Sequence, residues 1–591
     1  MRESIQTRRH LGAVYTITFF AAGCSLLYEL LLAQTLSALL GNTVVRYSIT
    51  IGCYLGALGL GAMLCERGAD RLVFRLARIE VLLSLVGGLS VPLLYTLDMI
   101  HNWLYAAATP LADGPWPGWL FLGMSHLLIV AIGVLSGFEI PLLLALGEEM
   151  KPGCTNRVLG FDYIGSLAAS VLFPLWLLRS LGLLAAGLAV GLVNAALLLS
   201  LLVIFRERLG KAFRIQAVVA IAVLTLVSVR ARGLEQHFLH KLYFDAPDTS
   251  FFELFRPSEH DGHVERIRSP YQRIDLVSSE VDDQWLYDLL SAKRNDDPDY
   301  PVDTWLYLDR AYQVFSGNDE FYHEWFVHAP VQASGRAPRR LLVIGGGDGL
   351  AVRAALEYPS VQEVVHVELD REMVRLSREH PALLAMNQRV HDDPRVKLVI
   401  SDGFQWLRSE RSRFDGIYVD LPYAKDYNLS LLYSREFYAT ARRRLVPGGF
   451  LAMDAPGLCD DGELWDVYYS TLRAAGFATV RPFITSFSAE APRLEQQLRR
   501  KLRSRPGAGE VDLEPLLQEL EWSLAELPIQ EFLLAFPEER RPNLDYRDFG
   551  VETDAFDAFH HARAFEDRCT RAPRYAESRV NSIARPSLPP L

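Results

Sequence analysis

The chain turns from strand to helix in the stretch Leu341-Leu342-Val343-Ile344-Gly345-Gly346-Gly347-Asp348-Gly349-Leu350, where four apolar residues precede a glycine-rich turn. Such a turn lets backbone N–H groups approach a nucleotide-like ligand closely. Glu368 follows about 20 residues later, the spacing at which a carboxylate holds the ribose hydroxyls of such a ligand. The stretch therefore predicts a nucleoside-binding core, although a glycine turn alone also fits a non-catalytic fold.

Strands and helices alternate around this turn. Strand-like apolar runs cover 341–344, 364–367, 396–400, 416–419 and 450–453. Helix-like stretches between them cover 351–358, 371–380 and 435–445. This alternation predicts a doubly wound α/β sheet of the Rossmann type, a fold class that includes the class I methyltransferases.

Acidic residues follow the first four of these strands. They are Asp348, Glu368, Asp402 (next to Gly403) and Asp420. Ligands of such sheets bind beyond the carboxyl ends of the strands, so we expect the four side chains to meet at one site. Crowded carboxylates suit ribose hydroxyls and amine cations but repel phosphates, which disfavours a nicotinamide dinucleotide. The alternative is an ordinary solvated rim of loop residues.

The composition of the 591-residue chain differs strongly between its two parts. A formal net charge of -11 argues against a nucleic-acid partner, because nucleic acids bind basic surfaces. Roughly the first 230 residues are apolar, whereas the rest is rich in charge. The 6 cysteines show neither metal-ligand spacing nor a disulfide pattern.

The apolar part predicts a multi-pass membrane domain over residues 1–232. Runs long enough, or nearly so, to cross a bilayer lie at 11–32, 45–64, 79–95, 120–146, 164–178 and 181–205. Basic residues concentrate in alternate loops, which places the N-terminus in the cytoplasm. We therefore expect a multi-pass protein of the cell membrane, in contact with lipid.

A seventh apolar segment, 215–229, leaves the number of spans open at six or seven. Its 15 residues rise only about 22 Å as a helix, against a hydrocarbon core of about 30 Å. If it spans the bilayer, the polar part lies outside the cytoplasm. If it lies at the interface, the polar part stays inside.

Three carboxylates fall inside or at the ends of the apolar runs. These are Glu29, Glu139 and Asp162. Charges at such depth are costly and usually face a helix-bundle interior or a water-filled cavity, so they are candidates for a cation path. The alternative is a set of interfacial residues or satisfied contacts between helices.

Three further regions follow the membrane domain. Short alternating runs predict a small β-rich lead-in over 251–330. The Rossmann-type catalytic domain covers 331–480. Residues 481–591 form a C-terminal extension to which the sequence assigns no role.

Six linked motifs resemble, in order and spacing, those of the spermidine synthases, which are polyamine aminopropyltransferases. They are Ser269-Pro270-Tyr271-Gln272, Asp319-Glu320-Phe321-Tyr322-His323-Glu324, Gly345-Gly346-Gly347-Asp348-Gly349, Val367-Glu368-Leu369-Asp370, Ser401-Asp402-Gly403-Phe404 and Asp420. The apolar part resembles the N-terminal region of membrane-bound bacterial members, through Leu27-Tyr28-Glu29-Leu30 and Phe161-Asp162-Tyr163-Ile164-Gly165-Ser166.

The resemblance implies transfer of the aminopropyl group of decarboxylated S-adenosylmethionine to putrescine, giving spermidine and methylthioadenosine. It implies that the donor is held by Gln272, Gly345, Glu368, Asp402 and Gly403. The amine-bearing chain would contact His323 and Asp348. Asp420 would accept the proton, with Tyr322 orienting the attacking nitrogen. No metal or other cofactor is expected, because a sulfonium is already an activated leaving group, and a homo-oligomer stays open.

One position departs from the family pattern. Soluble members carry a second aspartate three residues after the catalytic one, followed by proline, where this chain has Tyr423 and Ala424. Asp426 is a candidate substitute, and a different or bulkier acceptor amine stays open.

Two other functions compete with aminopropyl transfer. A methyltransferase using intact S-adenosylmethionine shares the fold, although Asp348 would repel the carboxylate of that donor. A polyamine transporter or sensor with a binding-only soluble domain would use the intramembrane carboxylates.

Overall fold

The structure is a computed structural model in two compact units, Met1–Val264 and Glu265–Leu591. It describes residues 2–40, 44–65, 71–108, 116–244, 250–258, 262–279, 304–317, 319–422, 427–455, 457–458, 462–485, 530–553, 556–566 and 572–587. The boundary between the units lies within the first strand of the β-rich region. The predicted break after residue 232 therefore falls inside the first unit, which continues through a further helix.

The first unit is helical. Its α-helices are α1 (Arg2–Leu40), α2 (Val44–Leu64), α3 (Leu72–Leu82), α4 (Ser90–Ala108), α5 (Trp116–Met150), α6 (Thr155–Leu172), α7 (Leu178–Ile204), α8 (Lys211–Val229) and α9 (Ala231–Tyr243). In the described part of the unit, 5 helical segments are long and apolar enough to cross a membrane, judged by length and composition. They are His10–Leu40, Arg46–Leu64, Trp116–Met150, Thr155–Ile204 and Lys211–Val229.

These segments differ from the predicted spans at three places. The runs 164–178 and 181–205 form one 50-residue helical segment, interrupted at Gly182 by a φ of 73°. The run 79–95 is divided by a π-helical turn at Leu83–Gly87 and is not among the five. Helix α8 has 19 residues, longer than the predicted 15, and so rises about 28 Å. Its length is thus close to the hydrocarbon thickness.

The second unit starts with a 4-stranded sheet in the order β1-β2-β3-β4. Its strands are β1 (His263–Arg268), β2 (Arg273–Ser278), β3 (Thr304–Leu308) and β4 (Ala311–Phe315). Strands β2, β3 and β4 pair antiparallel, as expected for a lead-in of hairpins. Helix α10 (Asp319–Ser334) then leads into the larger sheet.

The larger sheet has 7 strands in the order β10-β11-β9-β8-β5-β6-β7. They are β5 (Arg340–Gly345), β6 (Glu363–Glu368), β7 (Val396–Ile400), β8 (Phe414–Asp420), β9 (Leu445–Asp454), β10 (Thr479–Ile484) and β11 (Glu531–Phe536). Strands β7, β6, β5, β8 and β9 are parallel, which agrees with the predicted Rossmann-type fold. The chain order reverses direction across the sheet between β5 and β8, the position at which such folds bind ligands.

Helices cover both faces of this sheet. They are α11 (Leu350–Leu356), α12 (Arg371–Glu379), α13 (Pro381–Asn387), α14 (Gly403–Ser409), α15 (Tyr427–Leu431), α16 (Arg435–Arg443), α17 (Glu463–Ala474) and α18 (Ala558–Ala564). Alternate residues of one strand enter different cores: Leu342 and Ile344 pack on one face, and Leu341 and Val343 on the other. Burial on both faces explains why these strands are continuously apolar in sequence.

The predicted boundary at residue 480 is wrong, because it cuts a strand of the sheet. Strand β10 crosses it, and β11 lies between β10 and β9, antiparallel to both. Further along, Asn543 and Arg547 hydrogen-bond to Gln332 of α10. The described part of the C-terminal extension therefore completes the catalytic unit. The charged run 493–505 lies outside the described residues.

Candidate active site

The carboxyl ends of the central strands bring the predicted residues to one edge. Gly345 of β5 is in register with Asp420 of β8, and Glu368 of β6 is in register with Ile400 of β7. Neighbouring strands lie about 4.8 Å apart, so consecutive strand ends can share one ligand. The strands that carry Asp420 and Glu368 therefore flank β5, which leads into the glycine turn.

The glycine turn is shaped around two of these carboxylates. The N–H of Gly346 donates to the backbone oxygen of Asp420 at 2.9 Å. A Cβ added at Gly346, whose φ is +62°, would lie 2.6 Å from Asp420 Oδ2. One added at Gly347 would lie 3.1 Å from Glu368 Oε2. Glycine is therefore needed at 346 both for its backbone conformation and for the space that the Asp420 carboxylate occupies.

Helix α10 carries the predicted orienting residue to the same place. Tyr322 Oη donates a hydrogen bond to Asp420 Oδ1 at 3.3 Å. The ring of Tyr322 packs against Phe532 of β11, with centroids 5.1 Å apart. Strand β11, in the C-terminal part of the chain, thus helps to hold the phenol in place. The sequence analysis did not link this strand to the site.

The carboxyl groups at this edge have raised pKa values. Burial, together with the negative charges of Asp348 and Asp454, raises the pKa of Asp420 well above the ordinary aspartate range. Burial likewise raises the pKa of Glu368 to about 7. Within the described residues, neither Asp420 nor Asp454 forms an ion pair with a basic side chain. A cationic ligand at this edge would favour the charged form of both carboxyls.

His323 and Asp348 lie beside this pair. The Nδ1–H of His323 donates to the backbone oxygen of Asp319 at 2.8 Å, which leaves Nε2 as an acceptor in the neutral ring. Burial lowers the pKa of His323, and the charge of Asp348 opposes that shift. Asp348 Oδ1 accepts the N–H of Leu350 at 2.9 Å and so fixes the turn into α11. An acceptor nitrogen and a carboxylate together are suited to an ammonium group.

The predicted donor side is connected through Asp370. Gln272 Nε2 donates to Asp370 Oδ2 at 3.1 Å, and the N–H of Asp370 donates to Glu368 Oε1 at 2.7 Å. The hairpin sheet is therefore tied to the end of β6 at the position where ribose hydroxyls are expected.

Asp402 and Gly403 have local structural roles as well. Asp402 Oδ1 caps helix α14 by accepting the N–H of Gln405 at 2.7 Å. A Cβ at Gly403 would lie 2.6 Å from Ile344 Cγ2, so the glycine lets α14 begin directly against β5. Both residues stay at the strand-end edge, although the contacts observed here are those of a helix start.

Sequence reasoning missed Asp454. Asp454 is the last residue of β9, and Asp420 is the last residue of β8. The residues just before them, Met453 and Val419, are in register, so the two strand ends are adjacent. Burial raises the pKa of Asp454 to about 7, and the charge of Glu531 adds to the shift. The run 450–453 already predicted a strand, so extending the strand-end rule to a fifth strand would have found this residue. Tyr423, Ala424 and Asp426 lie outside the described residues.

The carboxylates flagged in the apolar part occupy different environments. Glu29 and Glu139 are buried, whereas Asp162 is half-exposed. The sequence did not single out Glu80 of α3, which is fully buried and lies against Glu139.

Comparisons with known proteins match part of the second unit and, for whole relatives, most of the chain. Residues 319–485 match the family model of the spermine/spermidine synthase domain. The chain is 33% identical over 471 residues to polyamine aminopropyltransferase 2 of Ralstonia nicotianae, covering 78% of this chain and 82% of that protein. It is 32% identical over 486 residues to polyamine aminopropyltransferase 1 of Streptomyces coelicolor, covering 80% of each. A spermidine synthase crystallised with the transition state analogue AdoDATO aligns with a TM-score of 0.37 and 20% identity, over 51% of this chain and 84% of that one.

Proposed function

The chain belongs to the family of polyamine aminopropyltransferases, and on this basis we propose that Asp420 and Tyr322 form its reaction centre. The reaction is transfer of the aminopropyl group of decarboxylated S-adenosylmethionine to putrescine, with spermidine and methylthioadenosine as products. The observation that carries this proposal is the hydrogen bond of Tyr322 to Asp420, whose carboxylate fills the space left by Gly346. A base and a phenol that orients the amine therefore lie beside the glycine turn, where the nucleoside binds.

The transfer is a displacement at the carbon next to the sulfonium. The lone pair of the acceptor nitrogen forms the C–N bond as the C–S bond breaks, and the electrons of the C–S bond stay on sulfur as a neutral thioether. The nitrogen loses one proton, which Asp420 accepts. An alkylamine with a pKa near 10.4 is neutral only about once in 10³ at pH 7, which costs about 4.6 kcal/mol. Asp420 therefore acts by positioning the amine and taking the proton during bond formation.

We assign the remaining site residues to parts of the substrates according to their positions at the carboxyl ends of the strands. Glu368, with Gln272 behind it through Asp370, holds the ribose, and Gly345 allows close approach of the nucleoside. Asp402 and Gly403 border the base. His323 Nε2 and the Asp348 carboxylate receive the ammonium of the aminopropyl chain.

Purified full-length protein tests this proposal when it is supplied with decarboxylated S-adenosylmethionine and putrescine. We expect release of methylthioadenosine and spermidine in equal amounts, with no release from intact S-adenosylmethionine. Absence of methylthioadenosine with every di- or polyamine offered would contradict the proposal.

We further propose that the helical unit holds the chain in the cell membrane as a multi-pass anchor. The supporting observation is the set of five long apolar segments found among the described residues. The protein should remain in the membrane pellet after an alkaline carbonate wash and be released by detergent. A reporter fused after Leu591 tests which side of the membrane the catalytic unit occupies.

Glu80 and Glu139 favour a second candidate function for the helical unit, which is cation binding. Both are buried, and in the part of the chain that the structure describes neither oxygen of Glu80 has a hydrogen-bond partner of normal geometry. Buried carboxylates without partners are stabilised by a proton or a cation. Polyamine uptake into vesicles should fall in Glu80→Gln and Glu139→Gln while aminopropyl transfer is unchanged. Unaltered uptake, or none in the wild type, would remove this function.

A further inference from the structure

The order of the strands divides the active-site edge into two sides. Asp420 of β8 is in the middle, and β5, β6 and β7 on one side carry Gly345, Glu368 and, just after the strand, Asp402. On the other side follow β9 and β11, which carry Asp454 at the end of one strand and Glu531 at the start of the antiparallel other. Because the donor residues occupy the first side, the acceptor has to approach from the second.

Three acidic residues therefore lie at consecutive strand ends on the acceptor side. Asp420 and Asp454 end neighbouring parallel strands one residue beyond the registered pair Val419 and Met453. Glu531 begins the next strand, where its backbone oxygen accepts the N–H of Ala455 and its Oε2 accepts the N–H of Leu458, each at 2.8 Å. At about 4.8 Å per strand, the backbones of the three residues span about 10 Å.

Both inner carboxylates act on the same phenol. The negative charges of Asp454 and Asp420, added to the effect of burial, raise the pKa of Tyr322. Asp454 is half-buried and, among the described residues, has no basic partner. Asp454 and Asp420 thus act on the same phenol, and a positive charge beside Asp454 would favour its ionised form.

We propose that Asp454, supported by Glu531, binds the second ammonium group of the acceptor and so selects diamines and longer polyamines over monoamines. This rests on the proposed function, because it assigns the acceptor half of the same site. One nitrogen of the acceptor lies at Asp420 and attacks, while the other lies at Asp454 and stays protonated. Asp454 thereby supplies the acceptor-side carboxylate that the motif after Asp420 lacks at position 423.

A matched pair of acceptors isolates this role. Putrescine and n-butylamine have the same four-carbon chain and the same attacking amine, but only putrescine has a second nitrogen. In Asp454→Asn we expect kcat/KM for putrescine to fall by about 10- to 100-fold, the range of one charge-assisted hydrogen bond. For n-butylamine we expect a change of less than about 3-fold, since a neutral tail makes no such bond.

Two further variants make the outcome unambiguous. Asp402→Asn, on the donor side, should lower kcat/KM for both acceptors by the same factor. Glu531→Gln should reduce the preference for putrescine in the same direction as Asp454→Asn but less, and it serves as the test if Asp454→Asn does not fold. Equal losses for both acceptors in Asp454→Asn, or an unchanged preference for putrescine, would overturn the role of Asp454. An inactive wild type would instead contradict the proposed function.

Discussion

Tyr322 and Asp420 are 98 residues apart in the chain and are joined by a hydrogen bond of 3.3 Å. The two residues meet because α10 directly precedes β5 in the chain, and β8 lies beside β5 in the sheet. Each residue is therefore placed by a separate element, and each can be altered without removing the other.

Removing the proposed base, Asp420, should affect turnover far more than removing the hydroxyl of Tyr322. We expect Asp420→Asn to lower kcat by about 10²- to 10⁴-fold, the usual contribution of a positioned general base. Tyr322→Phe keeps the ring against Phe532 and should lower kcat by about 10-fold, through one lost hydrogen bond to a charged group. Initial rates of methylthioadenosine release measure both.

A second tyrosine serves as the control for these variants. Tyr418 lies on the same strand as Asp420, and its hydroxyl donates to the backbone oxygen of Val327 at 2.8 Å. Tyr418→Phe should cost about 1 kcal/mol of stability and leave kcat unchanged. An equal loss of kcat in Tyr418→Phe and Tyr322→Phe would show that the phenol of Tyr322 has no particular role.

The glycine turn offers a test that separates backbone strain from steric displacement. Gly346 and Gly335 have nearly the same φ, +62° and +64°, so alanine is strained by about 1 kcal/mol at either. An alanine Cβ would lie 2.6 Å from the Asp420 carboxylate at 346, but at ordinary distances of 3.6 Å or more at 335. We expect Gly346→Ala to abolish transfer and Gly335→Ala to lower only the melting temperature. Normal activity in Gly346→Ala would mean that Asp420 is free to move.

Proton release should accompany acceptor binding. Burial raises the pKa of Asp454 to about 7, so a large share of this carboxyl is protonated at neutral pH when the site is empty. An ammonium ligand favours the charged carboxylate, lowers its pKa and expels the proton, so affinity should weaken as pH falls from about 8 to 6. The ammonium, with a pKa near 10.4, does not change its own charge over that range.

Calorimetry in buffers of different ionisation enthalpy measures this release. Putrescine is titrated into the complex with methylthioadenosine, so that no turnover contributes to the signal. Asp454→Asn is the control and should release fewer protons than the wild type. A binding enthalpy that is the same in every buffer would contradict the shifted pKa.

The sequence was sufficient to predict which residues end the central strands and insufficient for the strands beyond β8. Glu368 and Asp402 follow strands that are consecutive in sequence and adjacent in the sheet, so a local rule places them. Asp454 and Glu531 lie on neighbouring strands only because β11, more than 70 residues after β9, inserts between β9 and β10. Pairing over such a separation is set by tertiary packing, which the periodicity of either strand does not encode.

The predicted spans show a similar limit. Hydropathy located the apolar segments, because their composition is a local property. It did not locate the π-helical turn at Leu83–Gly87, which contains no proline and has the same apolar composition as its neighbours. It also did not identify Glu80, since its contact with Glu139 depends on how α3 packs against α5.

Donor binding should depend on the charge of Glu368. Glu368 Oε1 accepts the N–H of Asp370, and the remaining acceptor capacity of the carboxylate is available to a ribose diol. The amide of Glu368→Gln replaces one of the two oxygens by a donor. We expect affinity for methylthioadenosine to fall by about 10- to 100-fold in this variant, measured by calorimetry. Glu363→Gln, at the opposite end of the same strand and paired with Arg340, should bind normally. Equal affinities in the two variants would remove Glu368 from the ribose site.

The start of α10 depends on a buried ion pair. Arg353 of α11 contacts Asp319, four residues before His323, and also donates to the backbone oxygen of Met386 at 2.5 Å. Arg353→Met removes the buried guanidinium from Asp319, so we expect a loss of about 3–5 kcal/mol in unfolding free energy. Transfer activity should fall in parallel, because Tyr322 and His323 follow in the same helix.

Arg375 provides the matched control for that substitution. It also pairs with acidic residues, Glu372 and Glu379, but on the exposed face of α12. Arg375→Met should therefore cost less than about 1 kcal/mol, since exposed pairs are screened by solvent. Denaturant titration of both variants in detergent, followed by intrinsic fluorescence, measures the difference. Similar midpoints for the two would mean that the Arg353–Asp319 contact does not hold α10 in place, and the position of Tyr322 would then depend on its packing against Phe532.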